Sequence, residues 1–222
     1  MNKIAVNMIK HISADSNMGS KISVIVIGRS GSGKGTQAKF ILERLGKESY
    51  HVETGRFLRE LLAHENPTTL LARDIMRTGG LFPSWFGAFA WLREFIEKGK
   101  GDKNLVFDGA PRKVEEAKLI DDVITWHKRS LPICIYVDVS EKSASTRLLS
   151  RGRDDDHLSA IRNRMRFFTT DVLPVIRFYR NKRRLIHVNG EREIEDVWKE
   201  VDAKLAKHFG NLWPSSSSPK KK

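Results

Sequence analysis

Ile22-Ser-Val-Ile-Val-Ile27 runs straight into Gly28-Arg-Ser-Gly31-Ser-Gly33-Lys34-Gly35-Thr36. A near-continuous β-branched run of this kind predicts a strand buried on both faces, as in parallel sheets. The glycines that follow let backbone N–H groups point inward around a polyphosphate without side-chain clash. A helix predicted from Lys34 to Leu45, with Ala38, Ile41, Leu42 and Leu45 on one face, adds the partial positive charge of its N-terminus. Lys34 can reach β- and γ-phosphates, and the Thr36 hydroxyl can bind phosphate or Mg²⁺. The bland alternative is a glycine-rich turn before an ordinary helix. Strand, spacing, lysine and helix together favour the phosphate-binding loop.

Outward from this loop, strands alternate with helices. Tyr50-His-Val52, Asn104-Leu-Val-Phe-Asp108, Ile133 to Val139 and Leu185-Ile-His-Val188 read as further strands. Residues 54–98 read as mostly helical, broken near Asn66-Pro67 and at Gly79-Gly80. Helices are also predicted from about Val114 to His127, from the capping residue Ser140 to about Ser150, and from Leu158 to about Lys182, with Pro174 forcing a kink or break. Ile194, Val197, Trp198, Val201, Leu205 and Phe209 mark a last helix. The alternation predicts a three-layer α/β/α sandwich around a five-stranded parallel sheet.

The composition narrows the function classes. One cysteine, Cys134, rules out an internal disulfide framework and a cysteine-rich zinc site, so no structural zinc is expected. No apolar stretch approaches the roughly 20 residues that cross a membrane, and residues 1–20 lack the apolar centre of a secretory signal. The expectation is a cytoplasmic protein with no membrane partner. Forty Lys and Arg against 27 Asp and Glu give a net charge of +13, which calls for polyanionic partners: nucleic acid, or phosphate on a small molecule. The arginines cluster near the motifs, which favours small-molecule nucleotides.

Gly33-Lys-Gly-Thr-Gln37 resembles the loop of adenylate kinases and their nucleoside monophosphate kinase relatives, in which a glycine separates lysine from threonine. Further motifs agree in order. Thr54-Gly55-Arg56-Phe57-Leu58-Arg59 is similar to the segment that meets the monophosphate, Gly80-Leu81-Phe82-Pro83 to the wall of its base, and Asp108-Gly109-Ala110-Pro111-Arg112 to the family's Asp-Gly-Phe-Pro-Arg. Arg147, Arg151, Arg153, the pair Asp155-Asp156 and Arg164 match the flanks of its lid. The resemblance implies Mg²⁺-dependent transfer between ATP and AMP.

It also implies residue roles. Gly31, Ser32, Gly33, Lys34, Gly35, Thr36, Arg147, Arg151 and Arg192 would bind ATP. Thr54, Gly55, Arg59, Gly80, Leu81, Phe82, Gly109, Arg112, Glu116, Arg153 and Arg164 would bind AMP. Asp108, through water, and Thr36 would hold Mg²⁺. Lys34, Arg112, Arg147, Arg153 and Arg164 would carry the catalytic charge, and Asp155 and Asp156 would be hinge and arginine partners. The implied domain spans residues 21–209, with a monophosphate-binding insert at about 53–83 and a vestigial lid at about 151–155. Residues 1–20 would be an extension and 210–222 a disordered basic tail.

The chain departs from the family in four places. Only Gly152 separates Arg151 from Arg153, so the lid is nearly absent and the ATP side is expected to be open. Arg56 stands where an aspartate helps seat the hydrated metal. The loop proline is replaced within Arg29-Ser30, and Glu116 takes the place of the glutamine that reads adenine. A carboxylate accepts from the N6 amino group but cannot donate to N1. The alternatives are therefore a kinase for UMP/CMP, GMP or a deoxynucleotide, or a nucleotide- or RNA-binding protein without efficient transfer.

Overall fold

Five strands, β1 (Ser23–Ile27), β2 (Ser49–Glu53), β3 (Asn104–Asp108), β4 (Ile133–Asp138) and β5 (Leu185–Asn189), form one parallel sheet in the order β2-β3-β1-β4-β5. β1 is central, with Val24 level with Val106 on one side and Ile133 on the other. The computed structural model describes residues 21–98, 102–153 and 155–215. The extension at 1–20 and the tail residues 216–222 lie outside the described residues.

Because successive strand residues point to opposite faces, the β-branched run of β1 feeds two cores at once. Val24 and Val26 pack with Ala38, Ile41 and Leu45 of α1 (Lys34–Leu45) and with Val197, Val201 and Leu205 of α9 (Ile194–Phe209). Ile25 and Ile27 pack on the other face with Trp91 and Phe95 of α4 (Ser84–Lys98), Ile120 and Ile124 of α5 (Val114–Trp126), and Ile176 and Tyr179 of α8 (Leu173–Asn181). This is the three-layer sandwich the sequence predicts. Cys134 is a buried core residue of the second face.

The region between β2 and α4 folds as α2 (Thr54–Leu61) and α3 (Pro67–Arg77). Its break at Asn66-Pro67 has a local cause: Asn66 caps α3 by accepting from the Thr69 N–H at 3.0 Å, and Thr69 returns the bond to the Asn66 N–H. A separate core of Phe57, Leu58, Leu62, Ala72, Phe82, Phe86 and Ala90 ties α2 and α3 to α4. Trp91 belongs to the sheet core, whereas Trp85 stands 65% exposed.

Two features differ from expectation. The helix expected over 158–182 is α7 (Leu158–Phe167) and α8, joined by a wider π-type turn at Phe168–Val172. Pro174 lies in the first turn of α8, where its missing N–H costs nothing. The folded domain also continues past residue 209. Trp213 is buried, stacks on Phe209 with centroids 6.1 Å apart, and donates to Asp202 at 2.9 Å. Asp202 also accepts from Arg44 of α1, so the first residues of the expected tail brace the α1–α9 pair.

Candidate active site

The sheet order reverses at β1, and the loops leaving the carboxyl ends of β1 and β3 diverge there, which opens a crevice in sheets of this type. It is a cleft of ≈ 840 Å³. Gly31 through Thr36 form one wall, Gly55, Arg59, Gly80 and Phe82 another, and Asp108, Gly109 and Arg112 the floor. Arg147, Arg151, Arg153, Arg164 and Arg192 line the rest. Three expected residues do not line it: Thr54, Leu81 and Glu116.

The loop geometry explains its glycines. Gly31 and Gly33 take φ values of 87° and 85°, in the left-handed region that side chains avoid. A Cβ on Gly31 would also lie 2.4 Å from the Ala144 carbonyl oxygen. Lys34 opens α1 with its Nζ 3.5 Å from the Arg29 carbonyl. Burial pulls its ammonium down to about 8, opposed by Asp108 and reinforced by Arg112, Arg151 and Arg164. A bound polyphosphate would offset that penalty. Arg29, at the departing loop position, points away: its guanidinium lies 4.3 Å from the Phe168 ring centroid and donates to the Val139 carbonyl at 2.8 Å.

Arg112 is held from three sides. Its Nε donates to the Gly109 carbonyl at 2.9 Å, its guanidinium lies 5.9 Å from the Phe167 ring centroid, and its backbone N–H donates to Glu116 at 2.9 Å. Burial works against its charge, and the carboxylates of Glu116 and Asp108 offset part of that cost. Glu116 is itself buried in the first turn of α5, and burial raises its carboxyl above the usual range against the Arg112 hydrogen bond.

Beyond Arg151, the last residue of α6 (Glu141–Arg151), Gly152 turns the chain with φ 63°, and His157 caps α7. Asp156 is the hub of this short connection. Arg151 grips it with two hydrogen bonds of 2.8 and 2.7 Å, and Arg164 donates to it at 2.6 Å and also to Asp155. Burial alone would raise the Asp156 carboxyl, but the hydrogen bonds from Arg151 and Arg164 outweigh it and hold it at about 2. Arg147 donates both terminal nitrogens to the Gly190 carbonyl at 3.1 Å, and Arg192 turns toward Glu200. Arg162 and Arg166 are exposed, the solvated face the sequence suggests.

Residues fit for a metal can be tested against a hydrated ion carried by phosphates. Asp108 ends β3 inside the cleft, and a Cβ on Gly35 would lie 3.2 Å from its Oδ2, so the glycine keeps that side of the carboxylate open. Arg56 does not crowd this place: it lies over Phe57, 5.1 Å to the ring centroid, and within 3.9 Å of Glu60. Among the described residues no group of three His, Cys, Asp or Glu forms a ready-made metal cage. One carboxylate with Thr36 nearby suits Mg²⁺, which keeps most of its water.

Sequence reasoning missed His51 and Glu53, which also line the cleft. His51 lies between Glu53 at 3.8 Å and Asp108 at 3.9 Å, and Glu53 pairs with Arg59 at 3.2 Å. Their signal was weak: two polar residues alternating around Val52 at the carboxyl end of a strand. Burial of Thr54 leaves its hydroxyl without a partner among the described residues, directly behind Gly109.

The family profile described as "Adenylate kinase" matches residues 26–184. An adenylate kinase of Nautilia profundicola is 34% identical over 188 residues, covering 84% of this chain and 97% of the relative. One from Azobacteroides pseudotrichonymphae genomovar. CFP2 is 30% identical over 192 residues, 85% of this chain and 99% of the relative. UMP-CMP kinase 1 of Oryza sativa subsp. japonica is 33% identical over 199 residues, 88% of this chain and 79% of the relative. No helix among the described residues is long and apolar enough to cross a membrane.

Proposed function

Because the chain belongs to the adenylate kinase family of nucleoside monophosphate kinases, we propose that it transfers the γ-phosphoryl group of ATP to AMP, reversibly, giving two ADP. One observation carries this: the loop with Lys34 faces Arg112, Arg147, Arg151, Arg153 and Arg164 across a single cleft, with Asp108 between them. Phosphoryl transfer leaves the protein little covalent work, so positioning and charge stabilisation do most of it.

A phosphate oxygen of AMP attacks the γ-phosphorus, and the β,γ-bridging oxygen leaves with its electron pair on ADP. Neither a general base nor a covalent enzyme intermediate is needed. The loop amides and Lys34 hold the β- and γ-phosphates. Arg59 and Arg112 grip the acceptor phosphate, and Arg147, Arg151, Arg153 and Arg164 complete the ring around the moving group. The planar fork of arginine suits this because it meets phosphate oxygens in pairs. Asp108 and Thr36 would hold hydrated Mg²⁺, which supplies neutralising charge to the donor oxygens.

AMP is favoured as acceptor by the likeness to the adenylate kinases of Nautilia profundicola and Azobacteroides pseudotrichonymphae genomovar. CFP2. The second reading, a pyrimidine monophosphate kinase, is favoured by the likeness to the rice protein. A coupled assay with ATP and Mg²⁺ against AMP, GMP, CMP, UMP and dAMP tests both. Turnover highest with AMP is the expected result. Highest turnover with CMP or UMP would move the specificity, and no turnover with any of them would sink the kinase reading. The same assay without acceptor reads how well the six-residue connection at 152–157 protects ATP from water: its shortness predicts measurable ATP loss.

A further inference from the structure

We infer that Glu116 acts on the acceptor's phosphate through Arg112, as a positioning residue, and does not read the base. This rests on Arg112 as the ligand of that phosphate. Glu116 is only 4% exposed and lies outside the cleft lining, whereas Arg112 and Gly109 are part of it. One carboxylate oxygen accepts from the Arg112 backbone N–H at 2.9 Å. Both oxygens lie beside Gly87 of α4, where a Cβ would stand 3.4 Å from one and 3.9 Å from the other. Buried, and with one oxygen bonded to the Arg112 N–H, the carboxylate is not open to the cleft.

Its local chemistry suits a different task. Lys113 is the N-cap of α5, so Glu116 is the third residue of the first turn. From there a glutamate reaches back to a free N–H before the helix, a variant of the capping box that also favours the helix dipole. Here the N–H it reaches belongs to the arginine itself. Arg112 is thus fixed at its backbone by Glu116, at its Nε by the Gly109 carbonyl and at its face by Phe167. Among the described residues its two terminal nitrogens make no hydrogen bond, and Arg112 lines the cleft. A fork held at three points loses little conformational entropy on gripping a phosphate.

Ribose 5-phosphate, a monophosphate without a base, separates the two roles. Binding of AMP, GMP, CMP and ribose 5-phosphate is measured by titration to wild type, Glu116→Ala, Glu116→Gln and Arg112→Ala. Glu116→Ala is expected to weaken all four by the same factor, about tenfold for one lost hydrogen bond to a charged partner's backbone. Glu116→Gln keeps an acceptor oxygen and is expected to stay within about threefold of wild type, with the ranking of bases unchanged. The inference is overturned if ribose 5-phosphate binds Glu116→Ala as it binds wild type while AMP is lost. It is also overturned if Glu116→Gln re-ranks the bases, which decides the matter even should the alanine variant fail to fold. If Arg112→Ala leaves ribose 5-phosphate binding intact, the placement of the acceptor phosphate fails too; if it abolishes that binding while Glu116→Ala binds ribose 5-phosphate as wild type does, only the positioning role fails.

Discussion

Arg112→Ala is expected to lower kcat/KM for the monophosphate about a thousandfold or more, on the scale of arginines that stabilise phosphoryl-transfer transition states. That corresponds to about 4 kcal/mol of lost stabilisation. The expectation follows from where Arg112 sits: half-buried, facing Lys34 and Arg164 across the cleft, and fixed at backbone, Nε and ring face. A side chain so restrained contributes in the transition state without further ordering. KM for ATP should change little, because the proposed seat of ATP's phosphates, the Gly31–Thr36 loop, is a separate wall of the cleft. Steady-state kinetics with each substrate varied in turn would show it. Near-normal turnover would remove Arg112 from the reaction.

Asp156→Ala is expected to destabilise the domain by about 3 kcal/mol, within the range for breaking a buried ion pair. Arg164 is buried and would keep only Asp155, while Arg151 would lose both of its bonds to the hub. In a domain of this size that lowers the melting temperature by roughly 10 °C. Activity should fall more than stability alone explains, since two cleft arginines lose their common anchor. The same carboxylate gives an acid signature. Its folded pKa of about 2 lies below the unfolded value near 3.9, so its stabilisation is complete above about pH 5 and is lost as pH falls through 2. The shift amounts to roughly 2 to 3 kcal/mol. Urea titrations of wild type and Asp156→Ala between pH 2 and 6 should therefore converge toward the acid end; a constant gap across that range would refute the assignment.

Local chemistry made much of this molecule readable. The helix Lys34–Leu45 begins directly after Gly33 and stops at Gly46, which the 3.6-residue period and the glycine both announce. Asp108 and Arg112 were legible because a strand's end and a turn place them in the crevice of any such sheet. Directions of side chains were less legible. Glu116 occupies the expected position in the chain, but its burial and its bond from the Arg112 N–H appear only in the folded structure. His51 was missed because its neighbour Asp108 lies on another strand, brought level only by the β2–β3 register, which pairs His51 with Val106. Trp213 was assigned to a basic tail on composition, which cannot reveal an indole N–H finding Asp202.

The α4 helix has one further consequence, for motion. It serves two cores, holding Phe86 and Ala90 against α2 and α3 while Ala88, Trp91 and Phe95 sit in the body of the sheet. The far end of α3 is pinned as well: the Arg77 carbonyl lies 3.0 Å from His157, and the Thr78 carbonyl accepts from Asn163 at 2.8 Å. A swing of the whole insert as one rigid flap would tear either core. Closing over a bound monophosphate would instead have to deform the corner between α2 and α3, where Leu62 packs in the small core and the Leu62 and His64 carbonyls accept from Arg73, against a fixed rail formed by α4 and α7. Trp85 stands exposed at the near end of that rail, so its fluorescence would change little on closure, and a probe placed at the corner would report the movement.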